Sequence, residues 1–81
     1  MERSERSGLA RLLLRYPDRR ETLRGKAAED ANFRDLCEAY EAACEATDYW
    51  AKSTEPVGPE RAEEYRQLAG AIEEDILRNL G

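Results

Sequence analysis

Cys37 and Cys44 stand seven residues apart in one unbroken stretch of helix-forming sequence, with Glu41 between them. Thiols and a carboxylate are the ingredients of a metal site or a redox pair. On a helix this spacing separates the Cα atoms by ~10.5 Å at 1.5 Å per residue, out of disulfide reach. The two cannot bridge to each other there, so the redox reading is a link between chains, an oxidant-driven dimer through Cys37 or Cys44. The chain has no His, which leaves a structural zinc short of ligands unless subunits share them. The plainer reading makes both cysteines small apolar residues at the edge of a helical seam.

Carboxylates are the other candidate chemistry. Glu38, Glu41, Glu45 and Asp48 recur at steps of three and four, and Glu73-Glu74-Asp75 are contiguous. Either set is dense enough for a divalent cation, but di-metal sites in helical bundles usually add a Glu-x-x-His unit. Lack of His also removes the side chain best suited to proton transfer near neutral pH. The expectation is therefore no enzyme, no metal and no cofactor, with both acidic sets on solvated faces. Like charges at these spacings repel by a few tenths of a kcal/mol per pair. Arg11, Arg15, Arg19, Arg20 and Arg24 would offset them if the first third folded back over the long helix, or over that of a second subunit. Salt screening is the competing account.

The net charge of −5 conceals an asymmetry: residues 1–26 hold eight Arg and Lys against four acids, residues 27–81 five against fourteen. Such a split suits internal complementarity or self-association, and less well a basic arm for nucleic acid, because the acidic body repels phosphate. The arginines also lack the interleaved aromatics of a single-strand binder. No window approaches the roughly 18 apolar residues of a membrane span, and the acids near the start argue against a transit peptide. A cytoplasmic protein with free thiols is expected.

The elements that must position these residues are helical. Twelve of the apolar residues are Ala, and only Val57, Ile72 and Ile76 are β-branched aliphatics, so strand formers are scarce. Residues 1–7 are polar and expected to fray. Leu9, Leu12, Leu13 and Tyr16 then make a short amphipathic set that Pro17 stops. Asp18 with Glu21 predicts a capping box for a second short helix running to about Ala28. Asp30 is a natural N-cap for the strongest element, residues 31–52. There Phe33, Tyr40 and Thr47 take heptad position a, Leu36, Ala43 and Trp50 position d, and Cys37, Cys44 and Ala51 position e. Arg34, Asp35, Glu38, Glu41, Glu45, Asp48 and Lys52 form the opposite, charged face. After a Pro/Gly loop, Pro59 opens a last helix over residues 59–80, with Ala62, Tyr65, Leu68, Ala69, Ile72, Ile76 and Leu80 on one side and Gly81 past its end.

The set Phe33-x-x-Leu36-x-x-x-Tyr40, the Pro/Gly loop, and Ile72-Glu73-Glu74-Asp75-Ile76 with Leu80 resembles the small YdcH-like bacterial proteins of unknown function. Residues 30–80 carry the likeness. Where that family has a Leu-Lys-x-Glu-Ile run, this chain has an acid in place of the Lys. The resemblance implies an antiparallel two-helix hairpin that self-associates, and no activity.

The expectation is one all-α domain: a hairpin of two long helices, residues 31–52 and 59–80, with one or two short helices from the basic segment 1–28 packed across it. The broad seam and the shortage of large core residues suggest a homodimer or larger oligomeric bundle acting in protein–protein interaction. Its expected contacts are Phe33, Leu36, Tyr40, Trp50, Tyr65, Ile72 and Ile76 in the stripe and Tyr49 beside it, with Cys37 and Cys44 as possible redox groups. A nucleic-acid-associated regulator using the N-terminal arginines is the alternative.

Overall fold

A computed structural model describes residues 3–80; Met1, Glu2 and Gly81, with the expected place of Gly81 past the last helix, lie outside the described residues. The architecture is all-helical, with no strand among the described residues: α1 (Arg3–Arg15), a 3₁₀ turn (Pro17–Arg19), α2 (Arg20–Glu29), α3 (Ala31–Ala51) and α4 (Gly58–Asn79). No helix of the described residues is long and apolar enough to cross a membrane.

Local chemistry accounts for most boundaries. Pro17 keeps Tyr16 out of the helical region, at φ −125° and ψ 69°, and then opens the 3₁₀ turn, where its missing N–H costs nothing. The Asp30 carboxylate accepts from Asn32 N at 2.9 Å and Phe33 N at 3.2 Å, capping α3. At the far end of α3, the Gly58 amide donates to the Glu55 carbonyl at 2.9 Å. A Cβ at Gly58 would lie 3.1 Å from the Trp50 carbonyl oxygen, so a small residue is needed where the loop folds back.

Two local expectations need correction. The proposed capping box does not form: α2 is preceded by Arg19 with no side-chain cap, because the turn begun at Pro17 absorbs Asp18. The frayed start is shorter than expected, since α1 already runs from Arg3 and buries Gly8 and Leu9.

Packing centres on α3, which lies against both α1 and α4, while α2 touches α1 and α3. Leu12, Leu23, Phe33, Cys37 and Ile76 are the largest fully buried side chains. Gly8 is where α1 meets α3: a Cβ there would overlap the Cys37 carbonyl oxygen and sit 2.8 Å from its carbonyl carbon. A backbone atom cannot swing aside, so only glycine permits this approach. The core spans residues 33–44 of α3 and 69–80 of α4. Beyond it Ala62 and Gly58 are buried, and Trp50 and Tyr65 only half-buried. The molecule is correspondingly long, 42 × 23 × 21 Å.

Gly8→Ala should destabilise the protein by about 1–3 kcal/mol in urea unfolding, as expected of overpacking. Gly25→Ala, exposed in α2 with nothing within 4 Å of the added carbon, should instead stabilise by roughly 0.5–1 kcal/mol.

Candidate functional site

Polar chemistry concentrates where the end of α1 reaches the other helices. Glu73 of α4 accepts hydrogen bonds from Tyr16 Oη at 2.5 Å and Tyr40 Oη at 2.9 Å, and its Oε2 lies 3.2 Å from Arg15 Nε. One carboxylate thus gathers donors from α1, the linker and α3. The Arg15 guanidinium also lies 6.0 Å from the centre of the Tyr16 ring. Both phenols are held above their ordinary pKa: Tyr16 first by its bond to Glu73 and then by burial, Tyr40 first by burial and then by that carboxylate. They are therefore donors throughout the neutral range.

One helical turn away, Arg11 Nε donates to Glu41 Oε1 at 2.6 Å, and the Glu41 side chain is only 7% exposed. Burial pushes the Glu41 pKa up, but hydrogen bonds involving Arg11 and Glu45, with the Arg11 charge, bring it below its ordinary value. This corrects the expected outer face of α3: α1 covers it at Glu41, so that carboxylate is buried and paired rather than solvated. Likewise Glu73 belongs to an intramolecular network, not to an acidic face. Of the five arginines expected to compensate the ladder, Arg11 does so at Glu41; Arg15 pairs instead with Glu73 of α4, and Arg19, Arg20 and Arg24 are exposed.

Between these groups lies a cleft of about 340 Å³, floored by Tyr40, Cys44 and Thr47 and walled by Arg11 and Arg15 on one side and by Arg66, Gly70 and Glu73 on the other. Cys44 is half-buried in its floor, and Cys37 is buried beneath Gly8. Burial raises the Cys37 thiol to about 11. Cys44 is also raised by burial, against the opposing pull of Arg11 and the Tyr40 hydroxyl. Both are protonated thiols at neutral pH, which makes them poor nucleophiles and metal ligands. The expected link between chains through Cys37 is closed off while α1 is docked, because the crossing helix covers it.

The expected contact residues divide by exposure. Phe33, Tyr40 and Ile76 are buried inside the molecule; Leu36, Trp50, Tyr65 and Ile72 are half-buried; Tyr49 is 65% exposed, edge-on to Trp50 with ring centres 5.1 Å apart. Leu68, expected on the inner side of α4, is instead 48% exposed, and Leu14 of α1 is 77% exposed beside the cleft. Sequence reasoning did not find Glu41, Glu73 or Tyr16 as a connected set. Their only signal was an acidic ladder needing counter-charge. Glu5, Asp35 and Glu38 also bring carboxylate oxygens within 4.8 Å of one another at a partly exposed position, an arrangement common without any ion.

Above the ordinary Glu value near 4.5 the Arg11–Glu41 pair contributes its full stability, which is lost as pH falls through the lowered folded value. Arg11→Met leaves Glu41 buried without its cation, and should cost about 1–3 kcal/mol at pH 7. Urea unfolding at pH 7 and pH 3 should show the deficit shrink in acid, where the carboxyl is neutral. Glu73→Ala, which orphans two phenols, should cost about 2–3 kcal/mol and speed amide exchange in α1 more than in α3. A thiol reagent should modify Cys44 well before Cys37. Comparisons with protein-family models, curated proteins and solved structures find no match to this chain.

Proposed function

We propose that this protein is a protein–protein interaction module or accessory subunit that self-associates through its α3–α4 pair, read as an antiparallel hairpin as in the YdcH-like proteins it resembles. The observation that carries the reading is the partial cover of that pair. The helices α1 and α2 contribute to the core only alongside residues 33–44 and 69–80. Towards the loop, no third layer covers the pair among the described residues, and half-buried Trp50 and Tyr65 stand there with exposed Tyr49, Val57 and Leu68. Two helices alone bury little apolar surface, so a further helical layer supplied by another chain would stabilise this end.

The reading as a nucleic-acid regulator has less support. Arg11 and Arg15 are engaged by Glu41 and Glu73, while Arg6, Arg19, Arg20 and Arg24 are exposed in the first third. These stand against an acidic remainder of the chain.

Two measurements test the proposal. Light scattering across a concentration series should show a mass above that of one 9.3 kDa chain. Affinity capture at low salt, with and without nuclease, should recover protein but not nucleic acid. Nucleic acid recovered by the full chain and lost on removing residues 1–26 would reverse the assignment.

A further inference from the structure

We propose that the cleft between α1 and α4 is one half of a two-fold interface whose occupant is a second copy of this chain. This rests on the self-association read above and assigns it a face. The cleft opens where Tyr16 and Pro17 end α1, so the third helical layer stops there while α3 and α4 continue.

Its charges are of both signs. Arg11, Arg15 and Arg66 line the cleft with Glu73 and Asp48, and Arg11 is further neutralised by its pair with Glu41. A polyanion gains little from such a surface, whereas a self-complementary one is what a two-fold contact requires. Arg66 is 60% exposed, and among the described residues its ion pair is with Glu63 of its own helix, a weak surface arrangement. Asp48 is exposed on the same cleft. Because Arg66 and Asp48 line the same cleft, a two-fold axis placed between them would set Arg66 of each chain against the acidic side of the other, and the pair would form twice.

The apolar contribution comes from Leu14, 77% exposed at the lip formed with Arg11, Arg15, Tyr40 and Cys44. Gly70 supplies room. Nothing lies within 4 Å of where its Cβ would be, so nothing inside the chain requires glycine in mid-helix. At Gly8 the same residue type admits a neighbouring helix, and at Gly70 the open space faces the cleft that the second copy would fill.

Charge exchange tests this on the full-length chain by sedimentation velocity. The wild type should dimerise. Asp48→Arg and Arg66→Asp should each weaken the dimer by at least about tenfold, because each brings like charges together twice. An equimolar mixture of the two variants should restore dimerisation, since both opposed pairs are then complementary. Leu14→Lys should weaken it independently. All three side chains are exposed, and unchanged thermal melting of the variants at a concentration where the wild type is monomeric would exclude misfolding as the cause. A wild-type dimer that both charge variants retain at the same affinity would overturn the assigned face and leave self-association standing. A wild type that stays monomeric at every concentration would overturn both.

Discussion

Glu73 is the residue on which the assembly of this chain turns. It projects from α4 and accepts bonds from Tyr40 of α3 and Tyr16 of the linker, with Arg15 of α1 paired beside them. The helices α1 and α4 each pack on α3 rather than closely on one another, so this carboxylate is what ties α1 to α4. A half-buried carboxylate is tolerable only when its lone pairs are met, and three donors meet them. Every buried side-chain nitrogen and oxygen among the described residues has a hydrogen-bond partner.

The second requirement is steric. Contact between α1 and α3 at Gly8 and Cys37 is too close for any side chain. That approach brings Leu9 and Leu12 down onto Phe33 and Cys37 and sets Arg11 within reach of Glu41. Apolar burial, backbone approach and charge pairing reinforce one another along one face of a single 13-residue helix. The charge asymmetry of the sequence becomes intelligible here: the basic first third neutralises carboxylates of the acidic remainder at Glu41 and Glu73, and at Asp30 through Lys26. Arg19, Arg20 and Arg24 are exposed.

A consequence is that chemistry-bearing residues are put to structural use. Both thiols are protonated, Cys37 by burial under α1 and Cys44 by its place in the cleft floor. Both phenols in the network are donors and their carboxylate is an acceptor, so the site has a fixed direction of hydrogen bonding. Such a site positions helices. What the fold leaves open is the loop end of α3 and α4, where surface of mixed character lies beyond the reach of the short N-terminal helices.

The sequence by itself determined the elements, because their signals are local. Pro17 excludes a helical Tyr16, Asp30 caps α3 through amides two and three residues away, and helical periodicity with few strand formers leaves no other class. Even so, Asp18 misled, since a capping residue acts only if the preceding turn leaves it at the boundary. Tertiary structure alone decided which charges are buried. Glu41 looks like its neighbours Glu38 and Glu45 along the helix, and Glu73 like Glu74. Their difference comes from partners 30 and 57 residues away, Arg11 and Tyr16, brought up by a helix crossing that depends on one glycine. Periodicity states which face of a helix a residue occupies. Whether that face meets water is settled by what packs on it, and no pattern within α3 or α4 carries that information.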